Sequence, residues 1–318
     1  MKTRQDDTVT RKTDKRSTAS PSSTRSSAFA SGAPLLWVAR IAWVIVALCA
    51  PWWSLSDGRS VAVASLLLIW GWGLWLATAA ALLVPTPISL TAIRICAPIV
   101  VAQSVAVLWH GDPTQNAFLQ AFAFAGALVT WRSAYQPSVV DDMAQGGAYG
   151  QEQRFMLRTP WPYVVPAIIA WTLLSGGLVL GTLFLAAQQW IIGVVLTAIG
   201  IVLVRTVPKR IHRLSRRWLV LVPAGVVVHD HMVLAETMML RRHNITDISI
   251  AQQTGEEADL TGGVLGKRIV FATREADKVI LTPITARTLG TSEALHVKAF
   301  SVAPRRSDYA FAVLTGSV

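Results

Sequence analysis

Residues 190–223 read WIIGVVLTAIGIVLVRTVPKRIHRLSRRWLVLVP, and this stretch contains the three patterns that decide the fold. Its first part is apolar and free of charge, as in a helix that crosses a membrane. Its middle part, 205–217, carries six Lys and Arg residues. Its last part, 218–223, is strand-like and ends at a proline. The stretch predicts a membrane helix, a basic segment at the membrane surface and the first strand of a folded domain.

The composition of the whole chain favours an integral membrane protein. Apolar residues make up 53% of the 318 positions and charged residues 15%, compared with about 25% charged in soluble domains. Disorder over most of the chain is excluded, because disordered segments have low hydrophobicity. The two cysteines cannot form a disulfide framework. The net charge of +11 therefore needs an explanation other than a soluble basic protein.

Six apolar segments approach the roughly 20 residues that a helix needs to cross a membrane. They lie at 34–53, 61–84, 88–109, 115–131, 164–187 and 190–207. We therefore predict six transmembrane helices, arranged as a four-helix unit over 34–131 and a hairpin over 164–207. A cytosolic loop over 132–163 joins the two, and the polar, basic tail 1–33 is predicted to be disordered.

The distribution of Lys and Arg predicts the orientation of these helices. Basic residues are concentrated in the tail, in the loop 132–163 and after the sixth segment, whereas the alternate loops have almost none. Because cytoplasmic loops carry the excess of Lys and Arg, both termini are predicted to lie in the cytoplasm. We expect a multi-pass protein of the inner (plasma) membrane.

The pattern changes to short strands from residue 218 onward. Strand candidates lie at 218–223, 225–230, 233–240, 245–251, 267–273, 278–284 and 294–302. An acidic, glycine-containing loop is expected over 252–266 and a short helix over 305–314. Residues 208–318 are thus predicted to form a small, mostly antiparallel cytosolic β-domain, which is long enough to hold its own core.

Two stretches of this domain carry a family resemblance. Residues 217–230, RWLVLVPAGVVVHD, give strand, turn and strand, and residues 240–248, LRRHNITDI, lead from a basic strand end into I-x-x-I. Together with the hairpin and the basic run, this layout resembles the bacterial PH-like membrane proteins over about 164–318. The resemblance implies a partly open β-barrel capped by a C-terminal helix, and binding of lipid or protein rather than catalysis.

Polar residues inside the predicted spans are few, and no Asp or Glu is among them. Arg40 and Arg94 lie about six residues from the cytosolic ends of their spans, so their side chains are predicted to snorkel to the headgroups. Gln103, Ser104 and Gln120 are expected to hydrogen-bond between helices. Together with Arg94 they are also the candidates for a polar pathway through the membrane.

Small residues predict how the last two spans meet. Gly177 and Gly181 form a GxxxG pattern in the fifth span, and Gly193 and Gly200 lie in the sixth. Small residues let two helices approach closely. Since only Gln188-Gln189 connects the spans, we predict a tight hairpin, or a contact with another subunit.

Three motifs that suggest chemistry have simpler interpretations. His229, His231 and His243 would suit zinc, but no Cys or Glu falls at a characteristic ligand spacing, so a solvated strand face is expected. The glycine-rich run 262–268 lacks the first glycine and the Ser or Thr of a phosphate-binding loop. The paired carboxylates Asp141-Asp142 are expected to be solvated. We expect no catalytic residue, cofactor or metal.

The basic segment after the sixth span is the strongest chemical feature. It comprises Arg205, Lys209, Arg210, Arg213, Arg216 and Arg217. Four to eight such residues next to a span attract anionic lipids at about 1 kcal/mol each. We predict that all six anchor the chain at the bilayer or contact lipid headgroups. Because these charges are held against the membrane, the isoelectric point of about 10.4 does not indicate nucleic-acid binding.

These patterns together favour a non-catalytic membrane scaffold or accessory subunit. Its helices would dock on other membrane protein subunits of a larger assembly, and its cytosolic domain would bind a protein partner or anionic lipid. A permease or lipid-handling transporter that uses the polar intramembrane residues is the alternative. A membrane-embedded enzyme that uses Asp141-Asp142 is a third, weaker hypothesis.

Overall fold

The computed structural model describes residues 32–110, 117–253, 255–288 and 290–317. The predicted disordered tail lies outside these residues, except for its last two positions. The first part of the described chain is helical. Its helices are α1 (Ala33–Cys49), α2 (Trp52–Ser56), α3 (Val61–Leu83), α4 (Pro87–His110), α5 (Ala117–Ser133), α6 (Pro137–Gln145), α7 (Trp161–Ala186), α8 (Trp190–Val204) and α9 (Val207–Leu214).

The prediction of six membrane-spanning helices is wrong for the described residues. Four helical segments are long and apolar enough to cross a membrane: Ala33–Ser56, Val61–Leu83, Pro87–Trp109 and Trp161–Ala186. A fifth qualifies if α8 and α9, bent by 43° at their junction, count as one span. Helix α5 has 17 residues and rises about 26 Å, which is short of the roughly 30 Å hydrocarbon core. It packs against α1 and α4.

Two open sheets form the C-terminal part of the protein, as the sequence predicted for a β-domain. The strands are β1 (Gln153–Met156), β2 (Trp218–Val222), β3 (Gly225–His229), β4 (Met238–Arg241), β5 (Ile245–Ala251), β6 (Ala258–Asp259), β7 (Arg268–Ile280) and β8 (Ala294–Val302). The sheet orders are β1-β2-β3-β4 and β5-β7-β8-β6. Neighbouring strands are antiparallel, except that β6 and β8 are parallel.

The strand predictions agree at some positions and differ at others. The bounds of β5 and β8 are those that the sequence predicts. β7 is one long strand, and helix α10 (Pro283–Thr288) occupies the end of the second of the two strands predicted there. The segment 132–163 contains α6 and β1, which the sequence did not predict. The closing helix α11 (Ser307–Ser317) extends further than predicted.

The first sheet joins parts of the chain that lie on either side of the helical hairpin. β1 ends before α7 and β2 begins after α9, yet the two strands pair, with Gln153 opposite Leu221 and Met156 opposite Trp218. The chain therefore runs from β1 into the hairpin and returns to the same sheet at β2, the strand next to β1.

Strand β2 of this first sheet is buried on both faces. Met156, Trp218 and Val220 belong to a core that they share with the helices. Their neighbours Phe155 and Leu219 point to a second core, which lies among the strands of both sheets and helix α11. A strand that is buried on both faces reads as a continuous apolar run. This explains the uninterrupted sequence WLVLV of β2.

The four hairpin glycines lie where α7 and α8 touch. A Cβ atom added at Gly177 would come within 2.8 Å of the Leu196 carbonyl oxygen, and one at Gly200 within 2.7 Å of the Leu178 nitrogen. At Gly181 and Gly193 the nearest backbone atoms would lie at 2.6 and 2.7 Å. The backbones of α7 and α8 thus approach so closely at these four positions that only glycine, which has no side chain, fits there.

We predict that Gly177→Ala destabilises the hairpin. The new methyl group would meet backbone that cannot rotate away, so α7 and α8 must separate, at about 1–3 kcal/mol. Gly176→Ala is the matched control, since nothing lies within 4 Å of a Cβ at that position. The free energy of unfolding in mild detergent measures the difference. Equal stability of the two variants would contradict the close contact.

Candidate functional site

Arg94 lies at the junction between the helices and the sheets, where the ends of α5 and α9 meet α4. Its Nε and Nη2 donate to the Ala134 carbonyl at 3.2 and 3.0 Å, and its Nη1 donates to Ser215 Oγ at 2.8 Å. The guanidinium also lies 5.0 Å from the centre of the Tyr135 ring. The prediction that Arg94 snorkels is wrong, because its charge is satisfied inside the protein.

Asp141 fixes the first strand of the sheet to helix α6. Its Oδ1 accepts the Met156 N–H at 3.0 Å, and the Met156 carbonyl accepts the Arg305 N–H at 2.8 Å. The side chain is buried, which corrects the expectation that the Asp141-Asp142 pair is solvated. Burial raises the pKa of Asp141 to about 6, although the Met156 N–H and the nearby Arg306 and Arg305 act in the opposite direction.

Arg217 forms a buried ion pair with Asp230. Its Nε lies 2.7 Å from Oδ1 and its Nη2 lies 2.6 Å from Oδ2, and the two side chains are 1% and 0% exposed. Nη1 donates to the Arg158 carbonyl at 2.7 Å, and Oδ1 also accepts the Met232 N–H at 3.0 Å. The prediction that Arg217 contacts lipid headgroups is therefore corrected. It holds together β2 and the segment before α7.

The other five residues of the basic segment are exposed. They are Arg205, Lys209, Arg210, Arg213 and Arg216. Helix α9 buries Val207 and leaves Ile211 half-buried, so its apolar side packs on the protein while its charges face outward. We refer to these five residues as the basic face. It follows α8 directly and leads directly into β2.

The predicted intramembrane polar residues have few partners among the described residues. Ser104 Oγ donates to the Val100 carbonyl of its own helix at 2.9 Å. The amide of Gln103 is buried and has no hydrogen-bond partner in the described part of the chain, and neither does Nε2 of Gln120.

Tryptophans make the hydrogen bonds between helices that the sequence reasoning missed. Trp43 and Trp75 each donate an indole N–H to the other's carbonyl at 2.9 Å, and Trp70 Nε1 donates to Thr182 Oγ1 at 3.0 Å. Arg40 Nε likewise donates to the Leu82 carbonyl, near the end of α3, at 3.0 Å.

The histidines give no indication of a metal site within the described ranges. The rings of His229 and His231 lie 4.2 Å apart, and His229 Nδ1 hydrogen-bonds Thr237 Oγ1 at 3.0 Å. Among the described residues, no group of three His, Cys, Asp or Glu side chains is arranged to hold a metal ion.

Comparison of the chain with family models, with curated proteins and with solved structures found no match. The junction and the basic face are therefore the features of the protein from which a function can be inferred. At the junction, Arg94 and Arg217 are held by acceptors inside the protein, whereas the charges of the basic face are exposed. This arrangement can hold the sheets against the helices and attract anions to the surface.

We predict that Arg217→Ala is strongly destabilising and Arg216→Ala is not. Removing Arg217 leaves Asp230 buried without its partner, which costs about 3–5 kcal/mol. Arg216 is the adjacent, exposed control, where a change within about 0.5 kcal/mol is expected. Thermal unfolding of the two variants would compare them. Similar losses at both positions would refute the assignment of Arg217 to the interior.

We predict that Asp141 makes stability depend on pH. Because burial raises its pKa in the folded state, the folded protein holds this proton more tightly than the unfolded chain does. The contribution of Asp141 to stability is therefore greatest near pH 4 and falls as pH rises through about 6, by on the order of 2 kcal/mol.

Unfolding measured at several pH values tests this dependence. Asp141→Asn keeps an acceptor for the Met156 N–H but cannot ionise, so its stability relative to wild type should improve between pH 4 and pH 7. The exposed Asp247→Asn variant should follow the wild-type curve. A constant difference between Asp141→Asn and wild type across this range would disprove the prediction.

Proposed function

We propose that this chain is a non-catalytic scaffold or accessory subunit of the inner (plasma) membrane. In this proposal its apolar helices cross the bilayer, both termini lie in the cytoplasm, and its sheets form a PH-like domain. The domain binds anionic lipid or a protein partner at the membrane surface. Four or five helical segments of sufficient length and apolarity support the membrane location.

The basic face is the observation that carries the proposal. Five exposed cations lie between the apolar helix α8 and strand β2. Under the proposed topology they lie at the headgroup layer, where each Lys or Arg gains about 1 kcal/mol from anionic lipid.

Two further features favour a scaffold. Helix α11 packs Ala310 and Leu314 into the core between the sheets, as the C-terminal helix of a PH-like domain would. Helix α8 packs mainly on α7 and leaves Ile191, Val194 and Val202 exposed. This apolar face is open to lipid or to the helix of another membrane subunit.

The proposal predicts that the basic face sets the preference for anionic lipid. Lys209→Gln, Arg213→Gln and Arg216→Gln together should lower the affinity for phosphatidylglycerol at least about tenfold. Native mass spectrometry of the full-length protein, titrated with phosphatidylglycerol or phosphatidylcholine, measures this. The control removes three exposed cations elsewhere on the sheets, Arg241, Arg274 and Lys298.

Crosslinking with mass spectrometry in native membranes tests the second half of the proposal. A scaffold should crosslink to a defined partner through the exposed face of α8 or through the sheet domain. A monodisperse monomer without a co-purifying partner, whose lipid preference is unchanged by the triple variant, would exclude this function.

A lipid-handling transporter is the second candidate, and the unpartnered amides favour it. A buried polar group without a partner inside a helical bundle is costly. The amide of Gln103 and Nε2 of Gln120, which have no partner among the described residues, therefore point to a polar path. Proteoliposomes that move a fluorescent phospholipid between leaflets, and lose this with Gln103→Leu and Gln120→Leu, would support it. Ser104→Ala is the control, since that hydroxyl bonds within its own helix.

A further inference from the structure

A basic pocket of about 410 Å³ opens where helix α11 begins. The side chains around it come from three distant parts of the chain: Arg158, Lys267, Arg305, Arg306, Ser307 and Asp308. No run of basic residues in the sequence marks this site, because the fold brings its cations together. It is separate from the basic face of α9, none of whose residues lines it.

The pocket carries an excess of positive charge. Four cations line it, together with the single acid Asp308, whose carboxylate pairs with Lys267 Nζ at 2.9 Å. Burial, together with the neighbouring Arg268, lowers the pKa of Arg158, as expected where positive charges crowd together. Backbone carbonyls hold two of these cations in place: Arg158 donates to the Leu265 and Lys267 carbonyls, and Arg305 Nη1 donates to the Tyr135 carbonyl at 3.2 Å. The pocket is therefore suited to an anion.

The surrounding contacts hold the pocket in shape. Ser307 Oγ donates to the carbonyls of Pro304 and Lys267, at 2.9 and 3.2 Å. The Arg306 guanidinium lies 4.2 Å from the centre of the Tyr309 ring. The first N–H groups of α11 have no acceptor inside their own helix, and the helix dipole adds partial positive charge there. These groups add donors to the cations around the pocket.

The pocket also lies beside the start of a membrane helix. Arg158 precedes Trp161, the first residue of α7, and donates to the Leu265 carbonyl at 2.9 Å. Trp161 is 75% exposed and Leu265 is 83% exposed. Tryptophan at a helix end is typical of the membrane interface. The exposed Leu265, whose carbonyl accepts from Arg158, supplies an apolar group that would be unfavourable in water.

We propose that this pocket binds the phosphate group of an anionic phospholipid in the leaflet that faces the sheets. The cations and the start of α11 hold the phosphate, and Leu265 contacts the apolar part of the same lipid. This inference rests on the proposed function, because it requires α7 to enter the bilayer near Trp161. It assigns to the sheet domain a defined lipid site in addition to the general attraction of the basic face.

Thermal unfolding of the full-length protein in detergent, with short-chain phosphatidic acid as the probe, tests the site. At a saturating concentration the probe should raise the Tm of the wild type by about 5 °C. Lys267→Gln with Arg306→Gln should lose at least half of this shift. Arg241→Gln with Arg274→Gln, which removes the same charge outside the pocket, should retain it. Equal losses in both double variants would overturn the site.

A single substitution keeps the test valid if the double variant does not fold. Lys267 and Asp308 are a surface pair, and such pairs contribute little to stability. Lys267→Gln alone should therefore unfold like the wild type without ligand, and should still lower the shift that the probe produces. A full shift in this variant and in the folded double variant would overturn the site.

Two further measurements show whether the bound phosphate belongs to a lipid or to a soluble compound. Inorganic phosphate at the same concentration should give a much smaller shift than the lipid, and Leu265→Ser should weaken the response to the lipid alone. Equal shifts with phosphate and lipid, unaffected by Leu265→Ser, would overturn the lipid assignment in favour of a soluble phosphate compound.

Comparing the pocket variants with the α9 variants distinguishes failure of this inference from failure of the proposed function. If the pocket variants keep the wild-type response while the α9 variants lose anionic lipid, the pocket is overturned and the proposed function stands. If neither set of variants changes anionic lipid binding and no partner is found, both are overturned.

Discussion

The pairing of β1 with β2 is the constraint on which the rest of the structure depends. The segment from Trp161 to Leu214, which contains the hairpin and α9, lies between these two strands, and their hydrogen bonds bring its ends together. Since β2 is buried on both faces, the first sheet cannot turn away from the helices without exposing one of two cores. A sheet domain at the end of a flexible linker would have no such constraint, and its charges would have no fixed position relative to the helices.

Buried and exposed cations have different roles in this arrangement. Arg94 and Arg217 are satisfied by acceptors inside the protein, and an unpaired charge at either position would cost several kcal/mol. They therefore fix the junction and are not available to a ligand. By contrast, the cations of α9 are exposed and those at α11 line an open pocket, and both groups lie close to where the hairpin meets the sheets.

Predictions from the sequence succeeded where the signal is local. The apolar segments and strands such as β5 and β8 follow from composition and alternation within a few residues. The four-residue strand β1, with the sequence QRFM, has no such signal and forms because β2 offers it an unpaired edge. The six-span prediction failed because α5, with the 17 residues that the sequence predicts, is short of the hydrocarbon core, and because α8, with 15 residues, ends before the predicted segment 190–207 does.

The sequence by itself determined that apolar helices are followed by a basic segment and a small sheet domain, because apolarity, charge and strand propensity are properties of neighbouring residues. Tertiary structure alone decided which charges are structural. Arg216 and Arg217 are adjacent in a uniformly basic run, yet one is exposed and the other is buried against Asp230. It also decided which distant cations share a pocket, because long-range packing, which no local pattern encodes, brings Arg158 and Lys267 to the start of α11.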